Sequence, residues 1–254
     1  MLGDKDLLAF RQGYYDLFVS LLGQEPSPAL LRGLADGMAE RIRGSQGLHP
    51  LLAEGWEEMQ RLLTGSAAQQ VAEAVADEYT RLFVGPQPPE VNLYESFYLT
   101  GRLLDRPLVA VRAFLAEVGI RKEEGYAEPE DFLAFELEVM RRLIRRQATA
   151  ADPEAEAEWI GRQAEFVVRH LLVWAPAAAA DLEQAPGASF YRAVAKLLRA
   201  FLELERDLFK EQGAVRSLEE ARQAAAGRGE WRGPLLDWAD APGGDPIPPP
   251  APAR

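Results

Sequence analysis

The chain has 254 residues, of which 48% are hydrophobic and 27% are charged, as is typical of one large or two small globular domains. It has no cysteine and only two histidines, which excludes disulfides, thiol chemistry, iron–sulfur clusters and cysteine- or histidine-rich metal sites. The net charge of −12 repels a phosphate backbone, so we expect no nucleic-acid partner and an attraction for basic partners.

The first third of the sequence predicts four helices, because apolar residues recur at intervals of three and four. Their apolar stripes lie within residues 7–21, 30–42, 48–63 and 71–83. Ser27 and Pro28 match an N-cap and a first helical residue, so they predict the start of the second helix. That helix is expected to continue to Ile42 and to end at Gly44.

The segment after Phe83 interrupts this pattern. Gly85 and three prolines stop the fourth helix, and a stretch rich in aromatic and acidic residues follows, ending in YESFY (residues 94–98). We interpret this stretch as an irregular loop. It would either pack into the core or form a wall of a binding site.

The second half of the sequence predicts further helices, with apolar stripes within residues 108–118, 132–144, 159–174 and 190–208. Pro129 and Pro153 are expected to begin two of them, and Ser189 to precede the last. Pro176 either breaks a helix or begins a new one. Strand alternation and hairpin turns are missing, so no sheet is predicted.

These patterns together predict an all-α protein. We expect a single globular helical-bundle domain of about ten helices over residues 4–222. Residues 227–254 form a Pro-rich C-terminal tail that should be extended or disordered, although a tail that covers a binding site is an alternative.

The motifs of common enzymes are missing from the sequence. There is no phosphate-binding GxxxxGK[ST], no dinucleotide-binding GxGxxG and no GxSxG nucleophile motif. His170 lies on the apolar face of its helix, where a buried histidine with a satisfied polar partner is expected. We therefore predict no catalytic residue, no metal and no cofactor.

An acidic group lies where a loop becomes a helix, around Glu128, Glu130 and Asp131. One interpretation is structural, since acidic residues and a proline suit the first turn of a helix. The other is functional, because a carboxylate can bind an arginine side chain through two charge-assisted hydrogen bonds.

Four stretches in order resemble the TorD/DmsD/NarJ family of cytoplasmic redox-enzyme maturation chaperones. They are EYTRLFVGP (78–86), YESFY (94–98), EPEDFLAFELEVM (128–140), and HLLVWAP (170–176) together with FYRAVAKLLRAFLELE (190–205). The resemblance covers about residues 78–205. One position departs from the family pattern, because Phe132 stands where a histidine is usual after Asp131.

The resemblance implies a TorD-like fold and a cytoplasmic, non-enzymatic, system-specific chaperone. Such a protein binds the twin-arginine leader and/or the body of an apo molybdoenzyme, assists insertion of the molybdenum cofactor and delays Tat export until maturation. It would be a monomer or homodimer without stable membrane insertion, consistent with the lack of any ~20-residue apolar run. The alternatives are a helical scaffold subunit of a redox complex or a weak nucleotide-binding hydrolase.

The resemblance also supplies candidate residues. Those expected to bind peptide are Glu128, Asp131, Glu95, Tyr98, Tyr94 and Tyr126. Those expected to have structural roles are Tyr79, Leu82, Phe83, Gly85, Pro86, Pro129, His170 and Trp174. Glu95 and Tyr98 should lie near Glu128 and Asp131 and line a groove, and Asp131→Asn should weaken leader binding with little loss of fold.

Overall fold

The computed structural model describes residues 4–85, 89–211 and 245–247, and most of them are helical. The helices are α1 Asp4–Leu22, α2 Pro28–Asp36, α3 Met38–Ser45, α4 Pro50–Thr64, α5 Ala68–Tyr79, α6 Glu95–Thr100, α7 Arg106–Glu117, α8 Leu133–Ala148, α9 Pro153–Phe166, α10 Ala175–Gln184 and α11 Phe190–Glu211. Helices α5 and α9 each continue into a π-helical turn, Thr80–Val84 and Val167–Leu171 respectively. The predicted all-α class is confirmed.

Local capping explains several helix starts. The Ser27 hydroxyl accepts a hydrogen bond from the Leu30 N–H at 3.2 Å, and Asp152 accepts one from the Ala155 N–H at 2.8 Å. A proline follows each of these caps at the first helical position, where its missing N–H has no consequence. The adjacent sequence is therefore sufficient to start α2 and α9.

The expected single helix from Leu30 to Ile42 is wrong, because the chain forms α2 and α3 with Gly37 between them. Glycine is a poor helix former, and here it also leaves room for a neighbour. A Cβ at Gly37 would lie 1.9 Å from Nη1 of Arg41. The Arg41 guanidinium uses that space to lie over the Trp56 ring, 5.6 Å from its centroid.

Two further boundaries differ from the sequence prediction. Helix α8 begins at Leu133 instead of Pro129, because residues 129–131 form a turn in which the Phe132 N–H bonds to the Pro129 carbonyl at 3.1 Å. The segment Glu95–Thr100 is the short helix α6 instead of an irregular loop. Its N-terminal cap is contributed by Asp131, a residue too distant in sequence for local patterns to reveal.

The prediction of no sheet is also wrong. Strand β1 (Ile120–Lys122) pairs in parallel with strand β2 (Asp245–Ile247), with Ile120 opposite Asp245 and Lys122 opposite Ile247. Strand β2 falls within the predicted Pro-rich tail. The other residues of that tail lie outside the described residues, as do residues 212–222 at the end of the predicted domain and Pro86.

The chain divides into two compact units, each built from segments distant in sequence. The first unit comprises described residues within 1–19, 94–175 and 206–250, and the second those within 20–93 and 176–205. Fully buried side chains of the first unit include Leu133, Phe135, Leu137, Leu143 and Phe166. Those of the second include Leu52, Met59, Leu82, Tyr191, Leu197 and Phe201. Across the described part of the chain, no helix combines the length and apolarity needed to cross a membrane.

Candidate functional site

In the second unit, Glu78 connects the first and last of the four family-like stretches. Its carboxylate accepts hydrogen bonds from the N–H and hydroxyl of Ser189, at 2.9 and 2.8 Å. It also accepts from the N–H groups of Phe190 and Tyr191, at 3.1 and 2.8 Å. A negative charge at a helix N-terminus satisfies N–H groups that have no partner within the helix. Glu78 therefore fixes α5 to the start of α11.

Aromatic side chains strengthen the same connection. The Tyr191 ring lies 4.9 Å from the Phe83 ring and 6.0 Å from the Tyr79 ring, and its hydroxyl donates to the Leu21 carbonyl at 3.0 Å. Burial raises the pKa of Tyr191 well above its usual value, with smaller contributions from Tyr79 and Glu78. Tyr79 and Phe83 therefore both pack against the Tyr191 ring.

The residues on either side of the prolines also pack into the second unit. Leu82 is fully buried, and its carbonyl accepts from the Val91 N–H at 3.0 Å. Val91 and Leu93 are both buried, and the Gly85 N–H closes the π-helical turn on the Thr80 carbonyl at 3.0 Å. This part of the segment fills the core, as one of the two interpretations of the sequence proposed.

In the first unit, Asp131 organises helix α6. Its Oδ2 accepts from the Ser96 N–H at 3.0 Å and from the Ser96 hydroxyl, and its carbonyl accepts from the Glu95 N–H at 2.9 Å. Asp131 is 0% exposed. It therefore caps α6 from the turn before α8 and joins the second and third family-like stretches.

Two more buried carboxylates lie beside Asp131, and we call Glu95, Asp131 and Glu136 the carboxylate cluster. Glu95 Oε2 lies 3.0 Å from Nδ1 of His170, and both residues are 1% exposed. Glu136 Oε2 accepts from the Trp174 indole N–H at 3.1 Å. His170 and Trp174, four residues apart in sequence, therefore each provide a polar partner for one member of the cluster.

One member of the carboxylate cluster, Glu136, has a shifted pKa. Burial, followed by the negative charges of Glu95 and Asp131, raises the pKa of Glu136 well above its usual value. The Trp174 hydrogen bond opposes this shift, and a hydrogen bond with Glu95 adds to it. Glu136 is therefore harder to ionise than an exposed glutamate.

Glu130 lies next to the cluster in sequence and has its own partner. Its Oε2 accepts from Nε and Nη2 of Arg112, at 2.9 and 2.8 Å, which attaches the turn before α8 to α7. Within the described residues, the second oxygens of Glu130 and Asp131 are buried without a hydrogen-bond partner. Such atoms are costly to bury, so they distinguish this region from an ordinary capped helix start.

The structure brings the predicted peptide-binding residues together but places them at different depths. Glu95 and Asp131 are inside the first unit, which does not match the expectation that they line a groove. Tyr126 is buried as well, with its ring 5.2 Å from Phe135. Tyr98 is half-buried against Trp174, with ring centroids 5.5 Å apart.

Glu128 and Tyr94 are half-buried, as Tyr98 is. The Tyr94 hydroxyl donates to Glu128 Oε2 at 2.6 Å, and Lys122 Nζ donates to the Glu128 carbonyl at 3.1 Å. The Phe132 ring lies 5.3 Å from the Tyr94 ring. Aromatic packing thus occupies the position where the family usually has a histidine.

An exposed apolar surface follows Tyr94 in the sequence, and sequence reasoning missed it. Phe97 and Leu99 of α6 are 38% and 39% exposed, and Leu103 and Leu104 are 53% and 68% exposed. We call these four residues the apolar patch. Leu104 also has a φ of +57°, a conformation that costs energy for a residue other than glycine. The adjacent leucines in GRLLD, which continue no helical stripe, were the available signal.

No group of His, Asp or Glu side chains in residues 4–85, 89–211 and 245–247 has an arrangement suited to holding a metal ion. The site therefore consists of three parts, which are the buried carboxylate cluster, the half-buried Tyr94–Glu128 pair and the apolar patch. The two accessible parts, the Tyr94–Glu128 pair and the apolar patch, suit non-covalent recognition of a chain with both basic and apolar residues.

The chain is similar to known proteins. The family described as "Nitrate reductase delta subunit" matches residues 46–180, just over half of the chain. The chaperone protein TorD of Vibrio parahaemolyticus is 28% identical over 177 residues, which cover 69% of this chain and 79% of that protein. TorD of Aeromonas salmonicida is 31% identical over 158 residues, covering 62% of this chain and 70% of that protein.

The helical fold and the relatives define the class as chaperones, which act by binding and not by covalent chemistry. The chain belongs to the nitrate reductase delta subunit family, with TorD chaperones among its relatives. The resemblance inferred from the four stretches is thereby confirmed.

Proposed function

We propose that this protein is a system-specific chaperone for an apo molybdoenzyme. It binds the client at its twin-arginine leader and/or body, assists insertion of the molybdenum cofactor and delays Tat export until maturation is complete. Binding takes place in the cytoplasm. The support is membership of a family described by a nitrate reductase subunit, together with relatives named as TorD chaperones.

The observation that carries the peptide-binding proposal is the apolar patch, which follows Tyr94, the hydrogen-bond partner of Glu128, in the sequence. Four of the six large hydrophobic side chains exposed in the described residues lie between Phe97 and Leu104. Exposed apolar groups concentrated in this way mark interaction surfaces. A twin-arginine leader combines a basic pair with an apolar segment, so the patch suits the apolar segment and Glu128 suits an arginine.

Glu128 can accept an arginine while it keeps its present partner. An ionised carboxylate offers about four lone-pair positions, and the Tyr94 hydroxyl uses one on Oε2. The Tyr94 bond also orients the carboxylate, which reduces the entropy lost when a ligand binds. The chain's net charge of −12 adds long-range attraction for a basic leader.

In this proposal Glu95 and Asp131 act indirectly. Asp131 caps α6, and Glu95 is held by His170, so together they fix the helix that presents Phe97 and Leu99. Changes at either residue would alter peptide binding by displacing α6. They are positioning residues, whereas Glu128 and the apolar patch contact the peptide.

The test is a binding titration with a fluorescent synthetic peptide that carries two consecutive arginines followed by an apolar segment. The double variant Leu103→Ser with Leu104→Ser should weaken binding about tenfold or more, because each leucine loses roughly 1 kcal/mol of apolar burial. Glu128→Gln should weaken binding about three- to tenfold and reduce its salt dependence.

The matched controls are Leu48→Ser and Glu124→Gln, since Leu48 is an exposed leucine of the second unit and Glu124 an exposed acid near Glu128 in sequence. Both should bind the peptide as the parent does. A double variant that binds as tightly as the parent and keeps the same thermal stability would disprove the assignment of the patch. Capture of an apo molybdoenzyme on the tagged chain would identify the client.

A second candidate, a permanent scaffold subunit of a redox complex, is suggested by the words "delta subunit" in the family description. The two functions differ in the lifetime of the complex. A chaperone should leave the client after the cofactor is inserted, so cofactor-loaded client should not be captured. Capture of loaded and apo client in equal amounts would favour the scaffold.

A further inference from the structure

Strand β1 is a sheet edge that side-chain hydrogen bonds within the first unit hold in place. Arg146 of α8 donates to the Val118 carbonyl and, at 3.1 Å, to the Gly119 carbonyl just before the strand. At the other end, Lys122 donates to the Glu128 carbonyl. Ile120 is buried and Arg121 exposed, so the strand has one face anchored in the unit. Both ends are therefore fixed by side-chain hydrogen bonds.

The described occupant of this edge is β2, from the same chain. Arg121 lies opposite Pro246, which has no N–H to donate. The ladder must therefore take its β2 donors from Asp245 and Ile247. Two strands of three residues form a pair of marginal stability, and parallel pairing is slightly weaker per residue than antiparallel pairing. Such an occupant can be displaced.

The edge is also connected to the candidate site. Lys122, the residue opposite Ile247, is the one that holds the Glu128 carbonyl. The Glu128 side chain in turn accepts from Tyr94. A chain paired along β1 therefore ends beside the residue that we assign to arginine recognition.

We propose that the β1 edge is an acceptor for an extended peptide, and that β2 occupies it in cis as an internal competitor of the client. This inference rests on the proposed function, since the competing peptide is an extended segment of the client that continues past Glu128. Main-chain hydrogen bonds to a sheet edge supply affinity without demanding a particular side-chain sequence. The occupant needs only an N–H group at the positions of Asp245 and Ile247.

An internal competitor is effective although its own pairing is weak. A segment of the same chain as its binding site binds intramolecularly, with an effective concentration on the order of 1 mM. It would therefore suppress peptides that bind the edge weakly, while a client that also engages the apolar patch would displace it. The arrangement would favour complete clients over short extended peptides.

The test uses the full chain with Ile247→Pro, which removes the N–H that Pro246 cannot replace. Ile247→Val is the matched control, since it keeps the N–H and the β-branched shape. The first measurement is hydrogen exchange at the amide of Arg121, because a parallel ladder in which Asp245 and Ile247 donate directs the Arg121 N–H of β1 toward β2. We expect exchange to become about tenfold faster in Ile247→Pro and to remain unchanged in Ile247→Val.

The second measurement adds a labelled peptide of residues 241–254 to the full chain with Ile247→Pro, whose own β2 competes less for the edge. The parent peptide should bind saturably, and a peptide with the Ile247→Pro change should bind at least tenfold more weakly. This measurement requires no client peptide. It therefore tests the acceptor edge separately from the proposed function.

The third measurement is the affinity of the twin-arginine probe peptide, which should increase about three- to tenfold in Ile247→Pro. Faster exchange together with tighter probe binding supports the proposal. Unchanged exchange and no binding of the 241–254 peptide would overturn it. Saturable binding of that peptide without any change in probe affinity would overturn the competition and leave the proposed function to the Glu128 and patch variants.

Discussion

Glu78 and the carboxylate cluster show two ways in which this protein buries acidic side chains. Glu78, in the second unit, accepts four hydrogen bonds from three consecutive residues at the start of α11. In the first unit, three carboxylates lie together, Glu136 has a raised pKa, and one Asp131 oxygen is buried without a hydrogen-bond partner among the described residues. The residue types are nearly the same, but their environments differ.

The difference indicates different roles. A carboxylate that is saturated with donors contributes to stability, because it would gain no further hydrogen bonds by moving into water. Buried carboxylates that have few donors and repel one another cost stability, and are retained where their position matters. The cluster holds α6, which presents half of the apolar patch. The second unit therefore resembles a framework, and the first contains the region that we assign to the client.

The largest effect is expected from Glu78→Ala, which would leave the α11 N-terminus without its cap. We expect a loss of about 3–4 kcal/mol in the free energy of unfolding, because four hydrogen-bond donors lose their acceptor at about 1 kcal/mol each. Glu73→Ala, at an exposed position of the same helix, should cost less than about 0.5 kcal/mol. Urea denaturation measures both, and a Glu78 variant as stable as the control would remove the framework role.

The next effect is expected from Asp131→Asn. An asparagine here cannot accept hydrogen bonds from both the Ser96 N–H and the Ser96 hydroxyl with the same strength. Stability should fall by about 2 kcal/mol, which replaces the expectation of little loss of fold. Probe binding should weaken as a consequence. An Asp131→Asn protein with parental stability but weakened binding would instead make Asp131 a direct contact.

A smaller effect with the opposite sign is expected from Glu136→Gln, which keeps an oxygen for the Trp174 N–H. Because the folded pKa is raised, Glu136 favours folding below about pH 4.5 and this contribution is lost as pH rises through the folded pKa. Because a glutamine does not ionise, the variant does not lose this stability. It should be more stable than the parent at pH 8, by on the order of 1 kcal/mol.

Thermal denaturation between pH 5 and pH 8 would measure the Glu136→Gln effect. The stability difference between variant and parent should grow as pH increases. A difference that is constant with pH would show that Glu136 does not titrate in this range. Glu138→Gln is not a suitable control, since Glu138 pairs with Arg142; Glu124→Gln, at an exposed position, is suitable.

The smallest effect is expected at the surface of the second unit. Burial opposes ionisation of Glu58, but hydrogen bonds from Lys196 and Arg192 outweigh it and lower its pKa. The stabilisation from pairing Glu58 with Lys196 and Arg192 is present above about pH 4.5. It is lost as pH falls through the lowered pKa of Glu58. Glu58→Gln should cost about 0.5 kcal/mol at pH 7, and less in high salt because solvent and ions screen the charges. Urea denaturation at low and high salt measures this cost, and a salt-independent value would contradict the electrostatic origin.

The sequence could predict much of the fold because helical periodicity and caps are local. Ser27 with Pro28 and Pro153 after Asp152 mark helix starts that the structure has. The start of α8 and the existence of α6 could not be predicted in this way. Both depend on Asp131, whose partner Ser96 is distant in sequence but close in space.

The candidate site was predictable in part. Motif resemblance selected Tyr94, Glu95, Glu128 and Asp131, and the structure brings these residues together. Their burial could not be predicted, because the sequence does not distinguish a buried acidic residue from an exposed one. The apolar patch was missed for the reverse reason, since leucines are normally counted as core.

The sequence by itself determined the all-helical class, the family and the absence of cysteine chemistry, because composition, periodicity and motif order are properties of the chain alone. Only the tertiary structure decided which acids are buried, which leucines remain exposed and which strand pairs with β1. Those outcomes depend on partners far away in the sequence, and burial and pairing are decided by the contacts that folding creates.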